Sequence, residues 1–169
     1  MEEDTSDAPS QTDNTAAFFV QSKSFNDGEK IPVKYCNKGV VGGTNTPIQI
    51  EWRNVPKGTK SLFLVLVDTH SVANDFIHWA VKDIDPTTNE IPESGPVTNG
   101  VELKNSDGAP GYFGPQPPAG TGDHPYEVHL FALSTAAIDI PEQADWEKIQ
   151  STLAPVTLEE AKFTGLYGR

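Results

Sequence analysis

The sequence predicts a mainly β domain, and three observations carry that expectation. Apolar residues alternate at period two over several short stretches, 14 glycines and 14 prolines punctuate the chain, and only one segment shows convincing helical spacing. With 169 residues the chain is long enough for one core of ordinary size, so a single domain over 17–169 is expected. Residues 1–16 are acidic and polar with almost nothing to bury, which cannot repay an ordering entropy, and read as a flexible tail.

The elements follow in order. "AAFFVQSKSF" opens with a short apolar run, "NDG" reads as a turn, and "KIPVKYC" sets Ile31, Val33 and Tyr35 at period two, which suggests two early strands. After the loop "GVVGGTNTP", "IQIEW" puts Ile48, Ile50 and Trp52 on one face and Gln49 and Glu51 on the other, the pattern of a half-buried strand. "SLFLVLV" (61–67) is a continuous β-favouring run bounded by turns, so it is expected as a central strand covered on both faces, delivering Asp68 to the sheet edge. In "FIHWAVKDI" (76–84), strict alternation places Ile77, Trp79 and Val81 opposite Phe76, His78, Ala80 and Lys82.

Residues 85–110 form a long aperiodic excursion of the kind that more often serves function than connection. "YEVHLFALS" (126–134) returns to strand. "IPEQADWEKIQSTL" reads as an amphipathic helix with Pro141 at its first position and Trp146, Ile149 and Leu153 on one face. The stretch 158–163 fits helix or strand.

Charge and composition exclude several functions. The net charge of −12 disfavours nonspecific nucleic-acid or anionic-membrane binding, although five of those charges (Glu2, Glu3, Asp4, Asp7, Asp13) lie in the first fourteen residues, leaving about −7 for the rest. No apolar run approaches the roughly 20 residues of a membrane span. The N-terminus lacks the pattern of a signal peptide, while its composition also suits a spacer behind a leader or lipidated segment, so cytoplasmic and periplasmic locations both fit a soluble chain. The lone Cys36 excludes an internal disulfide framework and reads as a small buried strand residue.

The stretch "GYFGPQPPAGTGDHPY" (111–126) concentrates glycine and proline just ahead of an imidazole. Proline removes amide donors and stiffens the chain, while glycine permits close approach, so the segment can wall a small preorganised pocket with a few amides left free for an anion. Parity then places His124 and Tyr126 on one face of the following strand, whereas His129 has the opposite parity to Tyr126 and reads as an ordinary strand histidine.

"IEWRNVPKGTKSLFLVLVD", then "HW", then "GYFGPQPPAGTGDHPYEVHLFAL" closely resembles the phosphatidylethanolamine-binding protein family, particularly its bacterial and archaeal Raf-kinase-inhibitor-like branch, with agreement over about 17–169 including the terminal "GLYGR". The resemblance implies an antiparallel β-sandwich, Greek-key in part, with a few peripheral helices and a small surface pocket for phosphate, acetate or phosphoethanolamine. It carries Asp68, His78 and His124 over as pocket residues, with Tyr112, Gly114, Pro118 and Tyr126 lining the pocket, and reads Trp79 as core. Asp68 would orient an imidazole or favour its charged form. Where the family commonly reads D-P-D-A-P, this chain has "DTHSVAN", so His70 stands at the second acidic position and both prolines are gone. That makes the pocket less negative and favours phosphate over recognition of an amine.

The expected function is noncatalytic binding of a small anionic ligand such as phosphate or phosphoethanolamine, without a cofactor, with regulation of a protein partner as an extension. A homodimer is compatible with the resemblance. The alternative is a metal-dependent enzyme or metal-binding protein using Asp68, His70 and His78 or His124, a two-histidine, one-carboxylate set. Hydrolysis by a serine nucleophile is not indicated, since no G-x-S-x-G occurs. Protease inhibition, known for some relatives, finds no bait loop that stands out.

Overall fold

The computed structural model describes residues 16–169; the tail expected over 1–16 lies, but for Ala16, outside the described residues. Strands β1 (Phe19–Gln21), β2 (Ile50–Arg53) and β5 (Glu90–Ile91) form a small antiparallel sheet in the order β1-β2-β5. A larger sheet comprises β3 (Ser61–Asp68), β4 (Phe76–Ile84), β6 (Val101–Glu102), β7 (His124–Leu133) and β8 (Thr157–Tyr167), in the order β6-β4-β3-β7-β8. All their pairings are antiparallel. Crossing from β6 at one edge to β7 beyond β3 makes the order non-sequential.

The alternation of β3 builds two cores. Leu62, Leu64 and Leu66 face the small sheet, joining Val20, Ile50, Trp52 and Ile91 in the sandwich interior. Phe63, Val65 and Val67 face the other way and are covered by helix α1 (Trp146–Leu153) through Trp146, Ile149 and Leu153. Every residue of β3 is buried, which is why its sequence is unbroken rather than alternating. Glu51 of β2 and Gln49 just before it are buried as well: Gln49 donates to Glu51 and Glu90, both at 2.9 Å, and Gln21 donates to Glu51 at 2.7 Å.

Three local expectations are corrected. "KIPVKYC" does not form a strand; Val33–Tyr35 is a short 3-10 turn with Val33 exposed, because Pro32 has no amide for a ladder and fixes φ at −59°. Cys36 accordingly lies buried just beyond that turn rather than in a strand, and burial pushes its thiol up to about 11. The helix begins at Trp146, not at Pro141: Asp145 caps it by accepting from the Lys148 amide at 2.8 Å, while Glu142 and Gln143 are engaged in bonds to the 104–105 segment. The third correction concerns β4. Leu66 pairs with Trp79 but Val67 pairs with Ile77, so His78 is the extra residue of a β-bulge, and Ile77 and Trp79 enter different cores. The open stretch after the helix is strand, within β8.

Candidate binding cleft

The central strands end together at one edge of the large sheet. Asp68, last in β3, pairs directly with Tyr126 of β7 and with Phe76 of β4. The bulge at His78 turns its ring toward that edge, and the 113–118 segment closes the opposite side, its Phe113 N–H donating to the His78 carbonyl at 2.8 Å. Between them is a cleft of about 180 Å³ with Asp68, His78, His124 and Tyr126 in its polar floor and Phe76 and Pro118 in its walls.

The floor is buried and ordered by hydrogen bonds. His124 Nδ1 lies 2.7 Å from Asp68 Oδ2, and its Nε2 lies 2.8 Å from the Thr121 hydroxyl, which in turn donates to the Pro118 carbonyl at 2.7 Å. Both His124 nitrogens thus have partners, Asp68 at Nδ1 and Thr121 at Nε2, which fixes the ring at the floor. Asp68 Oδ1 also accepts from the His70 amide at 2.9 Å. The Tyr126 hydroxyl is buried with no hydrogen bond of normal geometry among the described residues; burial, and next the Asp68 carboxylate toward which it lies, push its pKa far above the ordinary range, so it stays a neutral O–H donor.

His78 differs from His124. Its Nδ1 donates to the Phe113 carbonyl at 2.5 Å. Burial lowers its pKa to about 4, outweighing the Phe113 carbonyl and Asp68, which favour the charged ring.

The structure brings Asp68, His78, Pro118, His124 and Tyr126 together around the cleft and sets two other expected residues behind its wall. The Tyr112 hydroxyl donates to the Tyr35 carbonyl at 2.7 Å and its ring packs edge-on against Trp79, which is core as expected. Gly114 donates to Asn45 Oδ1 at 2.7 Å, with its α-carbon set so close to the 35–37 backbone that a Cβ would collide with the Tyr35 oxygen.

His70 does not face the cleft. Its ring stacks on that of His124 with centroids 3.9 Å apart and planes 11° apart, Nδ1 accepts from the Val72 amide, and Nε2 meets the Thr121 carbonyl at 3.1 Å. Parallel stacked rings aim their lone pairs along separate planes, so Asp68, His70 and His124 do not converge on one ion. Among the described residues no three His, Cys, Asp or Glu side chains are grouped to hold a metal. His129 is remote from the cleft, buried between Glu160 at 2.5 Å and Glu127 at 2.8 Å.

Similarity to known proteins agrees with this fold. The family pattern described as phosphatidylethanolamine-binding protein matches residues 21–168. The chain belongs to the phosphatidylethanolamine-binding protein family. A UPF0098 protein of Aquifex aeolicus is 35% identical over 157 residues, covering 89% of this chain and 88% of that one. A putative lipoprotein, LppC, of Mycobacterium tuberculosis is 31% identical over 163 residues, covering 96% of this chain and 78% of that one. Among solved structures, E. coli YbcL superposes with a TM-score of 0.82 at 26% identity, covering 91% of this chain and 99% of that one.

Sequence reasoning missed three positioning residues. Asn45, at φ 55°, clamps the loop by accepting from Gly114 and donating to the Tyr112 carbonyl at 3.2 Å. Its only sequence signal was an asparagine in a Gly-rich turn, where left-handed backbone is tolerated. Thr121 holds His124 from within the loop and stands three residues before it, a spacing that could have suggested a contact. Arg169 braces the loop from the far end of the chain, donating from Nε to the Pro117 carbonyl at 2.8 Å and accepting from the Gly120 amide. Among the described residues no helix is long and apolar enough to cross a membrane.

Proposed function

We propose that this cleft binds a small oxyanion, such as phosphate, a carboxylate or a phosphorylated head group, and holds it without chemical change. The observation that carries the reading is the Tyr126 hydroxyl, fully buried at the cleft floor and without a well-formed hydrogen bond among the described residues. An orphan donor in a protein interior costs roughly 1–3 kcal/mol, and a ligand oxygen offsets that cost. His124, held at both nitrogens by Asp68 and Thr121, fixes the floor beside it. Of residues 115–118 only Gln116 is not proline, and its backbone N–H has no partner among the described residues. Gln116 lines the cleft.

The size of the cleft supports a ligand of a few heavy atoms rather than a whole lipid. The test is a titration of inorganic phosphate and of O-phosphoethanolamine into the intact chain, read by histidine side-chain NMR. Saturable shifts at His78 and His124, with His129 unmoved, are expected. Absence of any saturable shift at those two rings overturns the reading.

A further inference from the structure

We propose that, among tetrahedral oxyanions, the cleft takes only a form that still carries an acid O–H, and that His78 sets this requirement. The inference rests on the oxyanion reading of the cleft and goes beyond it by naming the protonation state selected.

Donors and acceptors on the cleft floor decide the matter. A carbonyl oxygen cannot donate, so the 2.5 Å contact from His78 Nδ1 to the Phe113 carbonyl puts a proton on Nδ1. The reciprocal bond from the Phe113 amide to the His78 carbonyl ties the two residues twice and fixes the ring. The groups that face this ring and can carry charge are Asp68 from β3, and His124 and Tyr126 from β7. Phe76 and Phe113 close the remainder with hydrocarbon. A buried neutral imidazole with its proton on Nδ1 presents a lone pair at Nε2, and that atom has no hydrogen-bond partner among the described residues. Asp68 lies beside it and, as a carboxylate, can only accept; its oxygens already do so from the His70 amide and from His124.

The floor is therefore divided. Tyr126 offers a proton, while His78 and Asp68 offer lone pairs. A fully deprotonated oxyanion such as sulfate has only lone pairs, so it satisfies Tyr126 but faces the lone pair of His78 with one of its own. Hydrogen phosphate satisfies both, accepting from Tyr126 and donating its P–O–H to His78 Nε2. The same division accounts for a carboxylate in an anion site, because Asp68 repels every oxyanion but least the one with a proton to share. A phosphomonoester meets the requirement as its monoanion and fails it as its dianion.

The experiment is a set of titrations of the full chain at pH 7.5 with inorganic phosphate and with sulfate, and with O-phosphoethanolamine at pH 5 and pH 8. Affinity is read calorimetrically and the His78 ring nitrogens by ¹⁵N shifts. Phosphate is expected to bind about tenfold or more tightly than sulfate, the cost of one unpaired buried acceptor. The phosphomonoester is expected to weaken as pH passes its second ionisation near about 6, and His78 to keep its proton on Nδ1 alone. In His78→Gln, whose amide can turn to donate or accept, the preference for phosphate over sulfate should collapse, whereas Tyr126→Phe should weaken both anions alike. Equal binding of sulfate and phosphate, or a proton appearing on His78 Nε2 in the bound state, overturns the proposal while leaving the oxyanion reading intact. Binding of neither anion overturns both.

Discussion

Asp68 and His124 meet at 2.7 Å with both side chains almost wholly withdrawn from water. Each belongs to a strand end that the other helps to fix, and the pair also anchors the loop after β3 through the His70 amide. Removing one member of a buried pair leaves the other uncompensated, which typically costs about 3–5 kcal/mol. Asp68→Ala is accordingly expected to lose stability on that scale in urea unfolding. His70→Ala, which removes a half-buried ring and its contact to the Thr121 carbonyl but keeps the backbone amide, should cost about 1 kcal/mol. Equal losses in the two variants would show that Asp68 is not the anchor.

The burial of His78 makes stability depend on pH in a defined direction. Its ring drops from an ordinary value of 6.5 to about 4, so between those limits the unfolded chain binds a proton that the folded chain refuses. The contribution is complete above pH 6.5 and falls as pH drops toward 4, by up to about 3 kcal/mol. Unfolding free energies of the native chain and of His78→Gln, compared at pH 7 and pH 4.5, should diverge by much of that amount, the native chain losing more. Parallel pH curves would place the acid sensitivity elsewhere.

How far the sequence could be read depends on whether the decisive contact is local. The strand Ser61–Asp68 is legible because burial on both faces leaves an unbroken apolar run, and parity alone puts His124 and Tyr126 on one face. The bulge at His78 is not legible, since period-two counting assumes a regular ladder and the register slips by one residue between Leu66 and Val67. The same blindness explains the split between Ile77 and Trp79. The helix start failed for another reason: Pro141 has the right chemistry for a first turn, but Asp145 offers a better cap and the residues between are held by distant partners. The floor of the cleft was visible as a set of residue types; the unpartnered state of Tyr126 and the tautomer of His78 emerge only from tertiary hydrogen bonding.

Gly114 separates packing from backbone freedom. A Cβ there would collide with the Tyr35 oxygen and lie 2.7 Å from the Asn37 nitrogen, both backbone atoms that cannot swing aside. Gly114→Ala should therefore cost about 1–3 kcal/mol and displace the loop from Asn45, weakening phosphate binding. Gly120, at φ 83°, has open space for 4 Å around the position a Cβ would take, so Gly120→Ala should cost only the left-handed strain of about 1–2 kcal/mol. Thermal unfolding and phosphate titration of both variants check the contrast; it fails if Gly120→Ala is the one that abolishes binding.

Tyr126→Phe isolates the single hydroxyl on which the proposed function turns. The ring is fully buried and packs against His78 at 5.2 Å, while the hydroxyl has no partner among the described residues. Deleting an unsatisfied buried donor removes a desolvation cost and no internal hydrogen bond, so the ligand-free variant should be as stable as the native chain or more so by about 1 kcal/mol. Phosphate affinity should move the other way, falling about tenfold with the loss of one donor. A purely structural tyrosine predicts the reverse: reduced stability, with any change in affinity following from it. Urea unfolding without phosphate, set beside a phosphate titration of the same variant, separates the two, and a destabilised Tyr126→Phe with unchanged affinity would remove the hydroxyl from the binding site altogether.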